Sequence, residues 1–180
     1  MGYLITEKNG RIHEVFHSSN TNAPLDSVSI TDEQFAMIRY APNRYMLVSG
    51  NIIFDDVLAL NMAKGQKTEQ VNIECERLIV SGFTSTALGA LHNYQSQRED
   101  QLNLLGSVAG GIGGPFKCGL DGVWQYRAHS AAEIAQVFGD GADYKLALLQ
   151  QCEALKVAIA AATNTEELGG IEIDYSVAAQ

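Results

Sequence analysis

The chain has 180 residues, a length that suits one ordinary domain, or a small β module joined to a compact core, and excludes a multidomain enzyme. Its 12 basic and 21 acidic residues give a net charge of −9 at pH 7, which argues against nonspecific binding to nucleic acid or anionic lipid. Because 46% of the residues are hydrophobic and only 18% are charged, we expect a folded protein with neutral surface for contact with other proteins.

The cysteines and histidines predict neither a disulfide framework nor a metal site. Cys75, Cys118 and Cys152 lie far apart and form no C-x-x-C pair, and the histidines form no ligand pair on a predicted helix. No apolar run approaches the roughly 20 residues that a membrane-spanning helix requires. We therefore expect a soluble protein without metal or cofactor, and with no nucleic-acid or membrane partner.

The first part of the chain has the pattern of a β-rich module. Residues 3–17 alternate around Asn9-Gly10, and a second pair of short apolar runs flanks Ser49-Gly50-Asn51, so two β-hairpins are predicted. Between them Thr31 can cap a helix that ends at Pro42.

The polar segment Leu60–Gln70 shows no apolar periodicity and predicts a linker. We place the domain boundary inside it. Residues 1–63 would form the β-rich module, and residues 64–180 an α+β domain.

Helices are predicted next, from Thr68 to Ser81 and over residues 85–94 and 99–109. The glycine-rich segment 106–114 then breaks the periodicity and is interpreted as a hinge. It is not a phosphate-binding loop, because no Lys-Ser or Lys-Thr follows and Phe116 stands where a dinucleotide fingerprint needs glycine.

The strongest hairpin signal lies in residues 116–127, which turn at Asp121-Gly122. Ser130 then caps a helix of about two turns, followed by a bend at residues 139–141 and a main helix over 142–162. A further helix cap at 163–165 and a last short strand at 171–175 complete the chain.

The main helix carries one apolar stripe with 4, 3, 4 spacing. The stripe faces either the core or another subunit, and as a candidate interface it consists of Leu148, Cys152, Leu155 and Ile159.

A small set of polar residues is not explained as surface. Tyr94, Asp100, Gln101 and Asn103 occur within one segment, where they can form a buried hydrogen-bond network or, alternatively, contact a ligand. His129 stands just before the Ser130 cap and would tie the hairpin to the helix, with a catalytic role as the alternative.

The C-terminal part resembles a domain of bacteriophage and prophage tail proteins, found in tail-fibre and tail-fibre-assembly proteins. The resemblance extends from about Glu76 to Ile171 and rests on four segments, ERLIVSGFTSTALGALHNY, DQLNLLGSV, CGLDGVWQYRAHSAAEIAQV and LKVAIAAATNTEEL. The N-terminal part is more loosely similar to short modules of tail-fibre-assembly proteins. The matching positions that we take as the family motif are Arg77, Tyr94, Asp100, Gln101, Asn103, Trp124 and His129.

The resemblance implies a non-enzymatic component of the phage tail fibre or baseplate, which binds fibre or neighbouring tail subunits in the virion. The expected partner is a tail-fibre or baseplate protein. A chaperone that assists fibre folding and trimerisation is the first alternative. The resemblance also implies a homo-oligomer, located in the virion and, during assembly, in the host cytoplasm. A small-ligand-binding protein or enzyme that uses Tyr94, Asp100, Gln101 and His129 is the alternative from another class. The fold expected is α+β, with an N-terminal β-rich hairpin module followed by a mainly helical domain that contains a β-hairpin.

Overall fold

The computed structural model describes residues 2–8, 11–17, 19, 22–49 and 51–176. Contacts between Cα atoms divide the chain into two compact units, Met1–Ala63 and Lys64–Gln180. The fold is a mixture of helices and antiparallel sheets, as the sequence predicted.

The first unit contains a five-stranded sheet. Its strands are β1 (Tyr3–Lys8), β2 (Arg11–His17), β3 (Val28–Ile30), β4 (Tyr45–Val48) and β5 (Asn51–Phe54), in the spatial order β3-β1-β2-β4-β5. Both predicted hairpins are confirmed by the pairing of β1 with β2 and of β4 with β5. The turn residues Asn9, Gly10 and Gly50 lie outside the described part of the chain.

One helix covers this sheet and closes its core. Helix α1 (Asp32–Ile38) begins after Thr31, whose hydroxyl accepts a hydrogen bond from the Gln34 amide while the Gln34 side chain accepts one from the Thr31 amide. This capping box explains why the helix starts where the sequence predicted. Its Ile38 is fully buried with the isoleucines of the sheet, Ile5, Ile12 and Ile30.

The predicted linker at Leu60–Gln70 is wrong, because a single helix, α2 (Asp56–Ser81), runs through it. Asp55 precedes the helix and accepts a hydrogen bond from the Leu58 amide at 2.9 Å, which satisfies a donor at the helix start. The segment looked like a linker because Lys64 and Lys67 interrupt its apolar pattern. In the structure their ammonium groups donate to Ala160 O and Leu168 O, the carbonyl ends of two other helices.

The second unit contains a four-stranded sheet built from β6 (Phe83–Ser85), β7 (His92–Tyr94), β8 (Gly114–Leu120) and β9 (Val123–His129), in sequence order. The predicted hairpin at Asp121-Gly122 is confirmed; both residues have positive φ, 50° and 80°. The helix predicted over residues 85–94 is wrong. The segment instead begins in strand β6 and ends in strand β7. These two strands pair with each other, and β7 also pairs with the distant β8.

Three further helices complete the second unit: α3 (Arg98–Gly110), α4 (Ala131–Ala161) and α5 (Thr165–Gly170). Ser130 caps α4 as predicted, through a reciprocal pair of hydrogen bonds with Glu133. The predicted bend at residues 139–141 is absent, since α4 is continuous there. Gly141 serves packing instead: a Cβ atom at this position would lie 2.7 Å from Cζ of Phe83.

The C-terminal segment is not the predicted strand. Residues 171–175 pair with no strand among the described residues, and Tyr175 instead inserts into the core and donates a hydrogen bond to Val71 O at 2.9 Å. The side-chain amide of Gln151 on α4 also donates to Asp174 O at 3.2 Å, so the segment is held by side-chain hydrogen bonds to α2 and α4 rather than by a sheet.

The apolar stripe of α4 faces the core of its own unit. Cys75 of α2 donates to Leu148 O at 3.7 Å, and the Cys152 thiol lies 3.9 Å from Oδ1 of Asn72, so α2 and α4 pack along this stripe. All four members of the candidate interface are buried in the single chain, with no more than 8% of each exposed. They have no free surface for another subunit, so the core interpretation applies to Leu148, Cys152, Leu155 and Ile159.

Candidate functional site

A buried tyrosine–histidine pair lies at the centre of the second unit. Tyr94 ends β7 and His129 ends β9, and the Tyr94 hydroxyl is 2.9 Å from Nε2 of His129. The other ring nitrogen, Nδ1, is 2.8 Å from Arg127 O. A carbonyl oxygen can only accept, so Nδ1 carries the proton, and the Tyr94 hydroxyl donates to Nε2. Both ring nitrogens of His129 are thus hydrogen-bonded within the protein.

The electrostatics of Tyr94 fit this donor role. Burial, and next the neighbouring Cys118 thiol, raise the pKa of Tyr94 well above its ordinary value. The phenol therefore stays protonated at neutral pH and remains a donor to His129. Both side chains are at most 4% exposed. Their hydrogen bond connects β9 to β7.

A cleft of about 430 Å³ opens beside this pair. One wall is a face of α3, where Asp100, Asn103 and Ser107 follow the 3, 4 spacing of a helix. The other wall comes from the start of β8, including Lys117, which pairs across the hairpin with Tyr126. The cleft has the size and mixed lining of small-molecule sites.

The structure brings together part of the predicted polar set. Tyr94, Asp100 and Asn103 all line this cleft, whereas Gln101 lines a neighbouring cavity of about 200 Å³. Asp100 closes the start of α3, since its Oδ2 accepts from the Gln97 amide at 3.0 Å. The side-chain amide of Gln101 donates to Ser96 O at 2.9 Å. These hydrogen bonds fix the loop between β7 and α3.

The glycine-rich segment has a tight structural role as well. Gly111 ends α3 with φ of 61°, and a Cβ atom at Gly113 would lie 2.6 Å from His129 O. Residues 106–110 are the end of α3, and the exposed residues that follow turn into β8 with Gly113 against the end of β9. The hinge stays a prediction.

Two other motif residues lie on the surface. Arg77 forms a bidentate ion pair with Glu74 one turn earlier on α2, with nitrogen–oxygen distances of 2.6 and 2.8 Å, and both side chains are exposed. The Glu74 carboxylate raises the pKa of Arg77, and Arg77 lowers that of Glu74. Trp124 is 44% exposed on β9. Among the described residues, the hydrogen bonds and ring contacts of the Tyr94–His129 pair involve neither Arg77 nor Trp124.

Strand β9 forms one edge of the sheet. Its side chains Val123, Trp124 and Tyr126 are 59%, 44% and 72% exposed. β9 pairs only with β8 among the described residues, so the main-chain groups on its other side are available for hydrogen bonding.

Sequence reasoning gave no site role to Phe83 and Lys117, two residues that help to form these cavities. Phe83 lines both the cleft beside α3 and the neighbouring cavity that Gln101 lines, and Lys117 lines the cleft. Phe83 could not be assigned because it lay between the two predicted helices, Thr68–Ser81 and residues 85–94, and its strand was not predicted. The alternation of β8 placed Lys117 on a strand, but nothing local indicated which helix it faces.

The described residues contain neither a metal-ligand cluster nor a membrane-spanning helix. No group of three or more His, Cys, Asp or Glu side chains there is arranged to hold a metal ion. Within the same residues, no helix combines the length and the apolar character needed to cross a bilayer.

Comparison with known proteins assigns the second unit to a family. Residues 62–177 match the family model described as "Domain of unknown function (DUF4376)". Because the match covers more than half of the chain, the protein belongs to this family. No curated protein and no solved structure matches the chain.

Proposed function

We propose that this protein is a non-enzymatic component of a bacteriophage tail, which remains in the virion and binds fibre or neighbouring tail subunits through strand β9. Two observations support the proposal. The segments that resemble phage tail proteins lie within the second unit, and that unit presents β9 at the edge of its sheet.

The exposed edge of β9 is the observation on which the proposal chiefly rests. Natural proteins usually protect edge strands with proline, a bulge or several charges. β9, whose sequence is VWQYRAH, contains no proline and has Arg127 as its single permanently charged residue. An extended segment of a partner can add to such an edge, with main-chain hydrogen bonds giving affinity and side-chain contacts giving specificity.

Local charge also favours protein contact at this hairpin. Strands β8 and β9 contain Lys117 and Arg127 but no acidic residue, in a chain whose net charge is −9. The acidic surface elsewhere would repel a second acidic protein, whereas the hairpin would not. Its exposed Trp124 and Tyr126 are of the residue types that most often dominate binding energy at interfaces.

The interior chemistry agrees with a non-enzymatic role. The Tyr94 hydroxyl is occupied as a donor to His129, and the raised pKa of Tyr94 makes it a poor acid or base at neutral pH. Asp100 and Gln101 are likewise engaged with the backbone that they hold in place. We therefore assign these residues to structure.

A charge introduced on β9 tests the proposal. Tyr126→Asp places a carboxylate at the centre of the edge, and Tyr40→Asp is the matched control, since Tyr40 is also exposed, at 83%, but lies in the first unit. Binding of each variant to purified tail fibres of the source phage is measured by biolayer interferometry, after circular dichroism has confirmed folding.

We expect Tyr126→Asp to weaken binding by about thirtyfold or more, the effect of losing an interface residue worth roughly 2 kcal/mol. Tyr40→Asp should bind like the unaltered protein. Equal binding by both variants, or no binding by the unaltered protein, would overturn the proposal.

A further inference from the structure

The indole of Trp124 lies flat on the outer face of the second sheet. Trp124 pairs across the hairpin with Gly119, and a Cβ atom at Gly119 would lie 2.9, 3.1 and 3.2 Å from Cε2, Cδ2 and Cζ2 of the indole. Cε2 and Cδ2 are the carbons that the two rings share, so they can be approached this closely only from the ring face. One face of the indole therefore covers Gly119, and the other contributes to its 44% exposure.

Neutral polar side chains continue from the indole across the sheet. Gly119 pairs with Asn93 of β7, and Asn93 pairs with Thr84 of β6, so these residues form one row on the face that carries Trp124. Asn93 and Thr84 are both exposed. Neighbouring strands are about 4.8 Å apart, which is close to the width of a six-membered sugar ring.

A cavity of about 760 Å³ joins this row to helix α4. Its lining residues include Trp124, Asn93 and Thr84 of the sheet together with Asp140 and Asp143 of α4. The two carboxylates are the only charged groups among the described lining residues, and neither forms a hydrogen bond or ion pair with another described side chain. Their oxygens are thus free to accept hydrogen bonds from a ligand.

This lining selects a chemical class. Two carboxylates without a lining cation disfavour phosphates, nucleotides and acidic sugars by like-charge repulsion. The polar groups of the lining disfavour a purely apolar ligand, which would leave them without partners. A neutral saccharide fits both the indole and the polar groups of the lining. Its C–H face can lie on the indole, while its hydroxyls donate to the carboxylates and form hydrogen bonds with the Asn93 amide and the Thr84 hydroxyl.

We infer that the cavity lined by Trp124 and α4 binds a neutral saccharide. The site shares the Trp124 side chain with the hairpin proposed to bind the fibre, but it does not use the β9 main-chain edge and does not depend on the proposed tail function. Saccharide binding is measured on the isolated protein, so a failure of either proposal leaves the other standing.

Intrinsic fluorescence tests the inference directly, because Trp124 is the one tryptophan of the chain. The probes are neutral oligosaccharides of hexose and N-acetylhexosamine, first presented on a glycan array, with uronic-acid oligosaccharides and choline as acidic and cationic comparisons. We expect a neutral oligosaccharide to change the fluorescence saturably with a Kd of about 1 mM or below. Addition of salt should leave this affinity unchanged, because an uncharged ligand has no charge to screen.

Variants connect binding to the named side chains. Asp140→Asn combined with Asp143→Asn should weaken saccharide binding by about tenfold or more, since hydrogen bonds to charged groups are the stronger ones. Glu153→Gln, another exposed carboxylate of α4 outside the lining, is the control and should bind normally. Trp124→Ala, followed by calorimetry, should abolish binding, whereas Tyr126→Ala on the same strand face should not.

Three outcomes would overturn the inference. They are a blank array with no fluorescence change from any neutral probe, binding of only the acidic or cationic probes, and neutral-saccharide binding that the Asp140/Asp143 double variant leaves intact. The double variant alters exposed or half-buried positions on a helix, so it keeps the test valid if Trp124→Ala does not fold.

Discussion

Two glycines of helix α4, two residues apart, should respond in opposite ways to alanine. Glycine in a helix interior is less favourable than alanine by about 1 kcal/mol. A Cβ atom at Gly139 would meet no heavy atom within 4 Å, so Gly139→Ala should gain this full amount of stability.

At Gly141 the same gain is opposed by a clash. Its Cβ atom would lie 2.7, 2.9 and 3.1 Å from Cζ, Cε1 and Cε2 of Phe83, whose ring is 8% exposed and stacks on Tyr94 at 5.7 Å. Inserting a methyl group into a packed core costs about 1–3 kcal/mol. With the helix gain subtracted, Gly141→Ala should be about 1 kcal/mol less stable than the unaltered protein and about 2 kcal/mol less stable than Gly139→Ala.

The assay is urea unfolding followed by the fluorescence of the single tryptophan, Trp124, which reports on the second unit alone. If the free energy of unfolding depends on urea concentration with the same slope in both variants, their unfolding midpoints can be compared directly. Equal stabilisation by both alanines would refute the packing of Phe83 on Gly141. Destabilisation by Gly139→Ala would instead favour the bend that the sequence predicted, with a positive φ that alanine disfavours.

The other predictions concern the second unit as well. Tyr94→Phe leaves Nε2 of the buried His129 without its donor and should lower the free energy of unfolding by about 1–3 kcal/mol in the same urea assay; an unchanged midpoint would contradict the hydrogen bond. Ser130→Ala removes the helix cap and should cost about 1 kcal/mol, and a loss below the detection limit would contradict the capping role. The Ser130 amide, and next its hydroxyl, hold the pKa of Glu133 below its ordinary 4.5, so the stabilisation from ionised Glu133 is present above pH 4.5 and is lost as pH falls through the lowered pKa. Glu133→Gln should therefore be less stable than the unaltered protein at pH 7 and approach it in acid, whereas a pH-independent difference would contradict this linkage.

Elements with local signals were predictable from the sequence. Asp121-Gly122 specifies the tight turn of the β8–β9 hairpin through positive φ values, and Ser130 with Glu133 specifies the start of α4. Each of these signals lies within four consecutive residues, so the local sequence alone determines the turn and the helix start.

The errors occurred where distant residues decide the structure. The helix through Leu60–Gln70 depends on Lys64 and Lys67 reaching carbonyls about a hundred residues later in the chain. The short strands β6 and β7 depend on pairing with β8, and the continuity of α4 past Gly141 depends on Phe83. No pattern within a window of ten residues contains this information.

The candidate site was predictable in part for the same reason. Asp100 and Asn103 share a face of α3 by helical spacing, so their common cleft follows from the sequence. The partners that complete the cavities come from β8, β9 and α4. The flat position of Trp124 in particular required its cross-strand neighbour Gly119, which only the register of the hairpin reveals.

Quantification of the protein in gradient-purified phage particles tests the central proposal most directly. Mass spectrometry against labelled peptide standards would give the number of copies per particle, for the unaltered protein and for Tyr126→Asp. A constant copy number for the unaltered protein, lost in Tyr126→Asp, is the result we expect if β9 anchors the protein in the tail. Absence of the unaltered protein from intact particles would contradict a virion component.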